Sequence, residues 1–297
     1  MHSTGELTER LGIQILFDFS DVIDCVEFAA SQGFRALELN LGNIEFGRRL
    51  RRRRERQRLL ETCRQLGVSL AFHALEGLSF FIPSVRARRA AVAELKQVLD
   101  WADETGAVNV VMHLGFDMHY GLGGTNRYTH EQFPEYSEQS IGEALAELKE
   151  YADGRSRLCV ENVGGFRFRP AQVALRRLLG GALGLCLDTG HLHILPPEKR
   201  EAEFSFFSEH RMCIYHVHMH DNNGIRDEHL AMGDGKIDFL PILRMLVGID
   251  ALLVFETRPK EQALRGRDYF LRVIAPKLRR AVARRTGQQV RARCVSL

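Results

Sequence analysis

The chain alternates short apolar runs with longer stretches in which apolar residues recur every three or four positions. Each short run covers about six residues and is apolar at both alternating sets of positions, which is typical of a parallel strand buried on both faces. Eight such runs predict strands, at Gly12–Phe17, Ala36–Asn40, Val68–His73, Asn109–Leu114, Arg157–Asn162, Gly184–Asp188, Cys213–His218 and Ala251–Glu256. The longer stretches have the spacing of amphipathic helices. They predict helices at Asp21–Gln32, Arg52–Leu66, Val85–Thr105, Ser137–Ala152, Pro170–Leu179, Phe239–Val247 and Glu261–Arg280, with a weaker pattern over Glu198–Phe207.

Eight strands, each followed by a helix, predict a single (β/α)8 barrel. The alternative, an open doubly wound sheet, usually has fewer strands and a glycine-rich nucleotide turn after the first one, and no such turn follows the first strand here. Two loops are long, at 115–135 and 221–238, and we interpret the glycines of the first as points of flexibility. We expect the barrel to occupy residues 1–283 and a basic tail to occupy 284–297.

Composition narrows the class of protein. Of the 297 residues, 45% are apolar and 27% are charged, which is ordinary for a globular protein and excludes a disordered or fibrous chain. The net charge of +3 is too small to imply nucleic-acid binding by itself. No apolar stretch is long enough to cross a membrane, the amino terminus is polar, and the six cysteines are scattered without a Cys-x-x-Cys pair. We therefore expect a cytoplasmic protein with free thiols, and the sequence leaves assembly of several copies open.

A dense run of arginines precedes and enters the second predicted helix. Its members are Arg48, Arg49, Arg51, Arg52, Arg53, Arg54, Arg56 and Arg58. Their density exceeds what one solvated helix face requires. A solvated face or a contact with a partner is the first interpretation, and phosphate binding is the second.

Ionisable side chains collect where the predicted strands end. Six consecutive strands, from the third to the eighth, end in such residues: His73, His113, Glu161, Asp188, His218 and Glu256. Three more follow in the adjoining loops: His191, Asp227 and His229. In a (β/α)8 barrel all nine face one mouth. A single strand-end histidine or glutamate is usually a structural hydrogen-bonding group, but nine together favour ligands for a divalent metal such as Zn²⁺ or Mn²⁺.

At these residues the sequence resembles the xylose isomerase-like TIM-barrel superfamily, from about Gly12 to Arg280. That group holds sugar-phosphate isomerases and epimerases, and also the zinc-dependent apurinic/apyrimidinic endonucleases of the endonuclease IV type. The most specific pieces are Asp188-Thr189-Gly190-His191, His218-x-x-Asp221, and Asp227-x-His229 followed by Met232-Gly233-Asp234-Gly235.

The resemblance implies two kinds of metal site. In the epimerase-like members one ion is held by residues that match Glu161, Asp188, His218 and Glu256. There the two glutamates also form the acid/base pair, and the residue matching His191 contacts the substrate. In the endonuclease-like members three zinc ions are held by nine ligands, and all nine matching positions are occupied by the residues named above. The number of ions, from one to three, stays open. Of the alternating His216, His218 and His220, the resemblance favours His218 as the ligand, with His216 deeper and His220 at the rim.

The residues support two chemistries. Four carboxylates bring a charge of −4, which several ions balance better than one, and multinuclear sites suit phosphoester displacement. A DNA enzyme, however, needs a broad basic footprint and wedging residues, and outside the arginine run the loops are acidic or neutral.

We therefore expect a metal-dependent isomerase or epimerase acting on a small sugar, sugar phosphate or related polyol. Glu161 or Glu256 would remove a proton beside the metal-polarised carbonyl, and the other would return one. Contacts with substrate or phosphate are expected from Asn162, Lys236 and Arg258. The alternative is a multinuclear zinc phosphoesterase, with nucleic acid as one substrate. A third interpretation is a metal-stabilised barrel that only binds a ligand.

Overall fold

Eight parallel strands close into a barrel in the computed structural model, which describes residues 5–283 and, for residues 5 and 6, the backbone alone. The strands of the chain are β1 Leu11–Ile15, β2 Ala36–Asn40, β3 Ser69–His73, β4 Asn109–Met112, β5 His119–Leu122, β6 Thr125–Tyr128, β7 Arg157–Glu161, β8 Leu183–Asp188, β9 Ile214–Met219 and β10 Leu252–Phe255. The order around the barrel is β1-β10-β9-β8-β7-β4-β3-β2, while β5 and β6 form a separate antiparallel hairpin. The predicted (β/α)8 barrel is therefore confirmed.

Helices surround the barrel and return the chain from the end of one strand to the start of the next. They are α1 Gly5–Thr8, α2 Val22–Ser31, α3 Ile44–Leu50, α4 Arg53–Leu66, α5 Val85–Thr105, α6 Thr129–Gln132, α7 Pro134–Ala152, α8 Arg169–Leu178, α9 Thr189–His193, α10 Pro197–Glu209, α11 Phe239–Met245 and α12 Lys260–Tyr269. Gly67 and Gly106 end α4 and α5 in the left-handed conformation, which glycine adopts without steric cost. The last predicted helix includes a π-helical turn at Phe270–Ile274 and then continues through 275–283.

The structure differs from the sequence interpretation in the loop at 115–135. We expected flexible glycines there, and that interpretation was wrong, because β5 and β6 pair across a two-residue turn at Gly123 and Gly124. Both turn residues have positive φ angles, 57° and 83°, which match the right-handed twist of a tight hairpin. Four short helices, α1, α3, α6 and α9, were also not predicted.

The barrel has two apolar regions of different size. The larger one lies between the strands and the surrounding helices, and includes contacts such as Phe34 with Phe255. The smaller one is formed by Val111, Cys159 and Cys186. Each of them lies two positions before an ionisable residue at a strand end, so both side chains point into the barrel. The ionisable residues of the mouth therefore lie above a small apolar cluster inside the barrel.

Two further expectations concern the chain as a whole. The predicted basic tail at 284–297, and Cys294 within it, lie outside the described residues. The other cysteines are all free thiols, at Cys25, Cys63, Cys159, Cys186 and Cys213. Within residues 5–283 there is no helix with the length and apolar character that crossing a bilayer requires.

Candidate metal centre at the barrel mouth

Nine side chains converge at the carboxyl ends of the barrel strands. They form three overlapping groups: His73 and His113 around Glu161, then Glu161 with Asp188, His218 and Glu256, and finally His191 with Asp227 and His229. The second group is called the central group and the third the outer group. Within each of these two groups, the potential ligand atoms all lie within 4.8 Å of one another. The topology explains this convergence, because parallel strands of a closed barrel end at one rim.

Glu161 is the hub of the first two groups. Its Oε2 atom lies 3.3 Å from Nε2 of His73 and 3.1 Å from Nε2 of His113, and its Oε1 atom lies 2.9 Å from Nδ1 of His191. The carboxylate is almost fully buried at the last position of β7. Glu161 can therefore bridge neighbouring positions of the cluster.

His218 lies at the middle of the central group. Its Nδ1 atom is 2.9 Å from Glu256 Oε2, 3.4 Å from Glu161 Oε2 and 3.8 Å from Asp188 Oδ2. Strand register brings two of these together, because Asp188 and His218 are direct partners across β8 and β9. One imidazole nitrogen thus faces three carboxylates, which is the donor set that a divalent cation requires.

The outer group depends on the loop after β9. Oδ2 of Asp227 lies 3.1 Å from Nε2 of His191 and 2.9 Å from Nε2 of His229. His229 has a φ angle of 48°, an uncommon conformation for a residue with a side chain. Its Nδ1–H donates to the carbonyl oxygen of Glu256 at 2.9 Å, which fixes the ring toward Asp227. Strained backbone held in this way is typical of functional positions.

Asp221 organises this loop. Its carboxylate accepts the backbone N–H groups of Gly233 and Ile237, at 2.9 and 3.0 Å. A Cβ atom on Gly235 would lie 2.4 Å from Oδ1 of Asp221, so the loop can pass this carboxylate only as glycine. The conspicuous Asp221 of the His218-x-x-Asp221 motif therefore shapes the loop that carries Asp227, rather than joining the ligand cluster.

Contacts between histidines and carboxylates determine the pKa shifts at the barrel mouth. Burial alone would raise the pKa of Glu161 and Glu256, but the histidines outweigh it and hold both pKa values well below their usual range. Burial alone would lower the pKa of His73, but its contact with Glu161 outweighs this and raises the pKa to about 9. The contact with Asp227 acts in the same direction on His229, and its pKa is also raised to about 9 despite burial. Protons on the histidines thus balance the carboxylates in the metal-free chain.

The donor set and its unsatisfied atoms fit divalent metal. Three buried atoms that face the cluster make no hydrogen bond with any of residues 5–283. They are Nδ1 of His218, Nδ1 of His191 and Oε2 of Glu256. His73 donates Nδ1–H to the carbonyl oxygen of Ala74 at 2.8 Å. Because a carbonyl only accepts, the proton that an ion would displace from His73 is the one on Nε2, the nitrogen that faces Glu161. Second partners of this kind fix the tautomer of metal-binding histidines.

The three predicted substrate contacts have different positions. Asn162 is fully buried, donates to the carbonyl oxygen of Asp188 and to Glu203, and accepts the N–H of Asp188, so it positions Asp188 rather than facing a substrate. Lys236 is exposed and lines a cavity of about 490 Å³ between α10 and α11, not the nine-residue cluster. Arg258 remains at the mouth, where Nη2 donates to Glu256 at 3.0 Å and to Gln14.

The sequence interpretation missed Gln14 and Glu38 and misplaced His220. Gln14 and Glu38 are buried side by side inside the barrel. A usable signal existed, because a polar side chain in the middle of a strand buried on both faces must have a partner. His220 is not at the rim: it is buried, and its Nε2 lies 3.0 Å from both oxygens of Asp188. His216 lies deeper than His218, 2.8 Å from Glu38.

We expect Gly190→Ala to disrupt this centre, because an added Cβ would lie 1.9 Å from the ring of His220 and force that ring away from Asp188. Overpacking of this kind costs about 1–3 kcal/mol of folding free energy. Gly47→Ala is the matched control, since Gly47 lies within α3 and a Cβ there meets nothing within 4 Å. Thermal unfolding should give a lowered midpoint for Gly190→Ala and an unchanged or raised one for Gly47→Ala. Equal midpoints for the two variants would contradict the packing argument.

The fold and the cluster together define a class: a (β/α)8 barrel whose strand ends present histidines and carboxylates fit for divalent metal at one mouth. The family described as xylose isomerase-like TIM barrel matches residues 26–273, and the chain belongs to that family. Among curated proteins, the chain is 26% identical over 220 residues to the uncharacterized protein MJ1311 of Methanocaldococcus jannaschii, a match that covers 71% of each chain.

Solved structures share the fold over nearly their whole length. A D-tagatose 3-epimerase-like protein matches with a TM-score of 0.71 and 22% identity, covering 92% of this chain and 99% of that one. The IOLI protein with a bound zinc atom matches with a TM-score of 0.66 and 18% identity, covering 91% and 96%. Endonuclease IV from Thermus thermophilus matches with a TM-score of 0.60 and 20% identity, covering 88% and 97%. At these identities the likeness establishes the fold and leaves the reaction to the residues of the site.

Proposed function

We propose that the protein is a metal-dependent isomerase or epimerase acting on a small sugar, sugar phosphate or related polyol. The observation that carries the proposal is the placement of Glu161 and Glu256. These glutamates end β7 and follow β10, which two other strands separate in the barrel, yet their oxygens lie within 4.8 Å of a shared set of ligand atoms. Two carboxylates that approach one position from different strands are suited to remove a proton and to return one.

The contacts of Glu256 and the position of His191 support this proposed proton transfer. Arg258 and Gln14 both bind Oε1 of Glu256, which leaves Oε2 turned toward the cluster. A bound divalent ion would polarise the substrate carbonyl and make the adjacent C–H more acidic. One glutamate then accepts that proton, and the other donates a proton to the opposite face or to the neighbouring carbon. His191, between Glu161 and Asp227 and slightly exposed, is placed to hold a substrate hydroxyl.

Proton exchange tests the proposal directly. We expect the protein, loaded with Mn²⁺ or Zn²⁺, to convert at least one member of a panel of ketoses and ketose phosphates. In D₂O the product should carry deuterium at the carbon beside the carbonyl. Removing the ion with a chelator should abolish the exchange, and restoring it should recover the exchange. A protein that binds metal but exchanges no substrate proton on any member of the panel would contradict this function.

A phosphoesterase is the second candidate, and the three-group arrangement of all nine ligands favours it. The four carboxylates carry a charge of −4, which more than one ion would balance. An exposed cationic surface adds support: five arginines after β2 make no ion pair within residues 5–283, at Arg51, Arg52, Arg53, Arg54 and Arg58. Two exposed apolar side chains, Phe17 and Ile44, lie on the same side of the barrel. Cleavage of a duplex containing an abasic site, with binding that weakens steeply as salt rises, would support this candidate.

A further inference from the structure

A buried carboxylate that the proposed reaction does not use lies below the metal centre. Glu38 occupies the middle of β2 and is fully inaccessible to solvent. A buried charge without partners costs several kcal/mol, so its surroundings show what it serves. Its carboxylate accepts Nε2–H of Gln14 at 2.6 Å, and it lies 2.8 Å from Nε2 of His216 and 3.2 Å from Nε2 of His218.

Two of these contacts can be assigned a direction. The amide Nδ2 of Asn109 lies 3.3 Å from Nδ1 of His216, and because an NH₂ group donates, the hydrogen of His216 belongs on Nε2, toward Glu38. His218 also directs Nε2 at Glu38, while its Nδ1 faces the three carboxylates of the central group. Glu38 therefore accepts hydrogens from two donors, Gln14 and the predicted metal ligand His218, while Nε2 of His216 lies beside it without completing a hydrogen bond.

We propose that Glu38 is a positioning residue for the metal centre: it accepts the Nε2 hydrogen of His218 and thereby presents the Nδ1 lone pair of His218 to the ion. A neutral imidazole has one hydrogen and one free lone pair, so fixing the hydrogen on Nε2 fixes the lone pair on Nδ1. The inference rests on the metal binding assumed in the proposed function, but it does not depend on which reaction follows.

Gln14 extends the same network to a second ligand. Its Nε2 donates to Glu38 at 2.6 Å and lies 3.1 Å from Oε1 of Glu256. Gln14 and Glu38 are direct partners across β1 and β2, so the strand pairing itself holds them in contact. Glu38 thus orients His218 directly and Glu256 through Gln14.

The same geometry allows a competing arrangement, in which Glu38, His216 and His218 hold an ion of their own. Their potential ligand atoms lie within 4.8 Å of one another. That arrangement would require His218 to coordinate through both nitrogens, and so to lose both ring hydrogens. The hydrogen-bonded arrangement needs no such loss, and it gives the Nε2 hydrogens of Gln14 and His218 an acceptor.

The experiment compares the zinc affinity of the intact chain with that of Glu38→Gln, measured by competition with a chelator. The amide offers one acceptor oxygen, and its NH₂ group must face one of the N–H groups that the carboxylate accepts, so the tautomer of His218 is no longer fixed. We expect affinity to fall about 10- to 100-fold, the usual effect of removing a second partner of a metal-binding histidine. Glu38→Asp keeps the charge and should recover part of the loss. Asp117→Asn is the matched control, because Asp117 is also buried and paired with a histidine, His130, outside the nine ligands.

Two further readouts keep the outcomes separate. If Glu38→Gln does not fold, the imidazole ¹⁵N spectrum of the intact zinc-loaded protein decides, and we expect His218 to carry its hydrogen on Nε2. Unchanged affinity in Glu38→Gln, or a hydrogen on Nδ1 of His218, would overturn the proposal. Loss of one whole zinc equivalent in Glu38→Gln, with the remaining ions bound as before, would replace it with the competing ion site. Absence of turnover on sugars would leave all of these results unaffected.

Discussion

Replacing Glu161 with glutamine should lower both the metal content and the catalytic activity of the protein. One oxygen of Glu161 contacts His73 and His113, and the other contacts His191. The amide keeps the size of the side chain but removes its charge and one acceptor oxygen, so it can neither bridge neighbouring ions nor take up a substrate proton. Loss of a general acid or base typically costs 10² to 10⁴ in rate, and we expect kcat/KM to fall by at least about 100-fold.

The metal content of the purified variant separates the two roles. We expect Glu161→Gln to retain fewer ions than the intact protein when both are prepared in the same zinc-containing buffer. Asp117→Asn serves again as the control, since it removes a buried carboxylate from a histidine pair without touching the cluster. A Glu161→Gln variant with full activity and full metal content would contradict the central position that the distances give to Glu161.

Much of the fold follows from local physical rules. A parallel strand covered on both sides is mainly apolar at both alternating sets of positions, and this pattern predicted the eight barrel strands to within two residues at each end. The hairpin of β5 and β6 escaped prediction because its strands are only four residues long and exposed. The helix α9 escaped because its five residues are too few to show a helical period.

The site was predictable only as far as the topology dictates it. Side chains at strand ends must meet at one rim, and the nine candidate ligands do so. Hydrogen-bond partners, by contrast, depend on distances that no spacing encodes. The amide of Asn162 is occupied by Asp188 and Glu203, and Lys236 lines the cavity between α10 and α11. His220 turns inward because Gly190 leaves room for its ring, a detail of packing rather than of pattern.

Between about pH 6.5 and 9 the metal-free protein should lose stability as the pH rises, and the metal-loaded protein should not. In the metal-free chain the raised pKa values of His73 and His229, each about 9, stabilise the fold. A histidine whose folded pKa lies above its unfolded value of about 6.5 contributes fully below pH 6.5, and loses that contribution as the pH rises through 9. The lowered pKa values of Glu161 and Glu256 act oppositely, contributing above about pH 4.5 and being lost as the pH falls further. The metal-free protein should therefore be most stable between about pH 5 and 6.5.

Metal binding cancels the fall in stability above pH 6.5, because an ion and a proton compete for the same imidazole lone pair. Each proton that an ion displaces makes the affinity rise about tenfold per pH unit, so stabilisation by metal grows as the pH increases from 6.5 toward 9. Thermal unfolding with and without a chelator should show the midpoint of the chelated protein falling over this range while the difference between the two midpoints widens. Calorimetric titration in buffers of different ionisation enthalpy should detect at least one proton released per ion. Binding without proton release, or a chelated protein that becomes more stable toward pH 9, would show that the histidines of the mouth do not hold the protons that the carboxylates around them require.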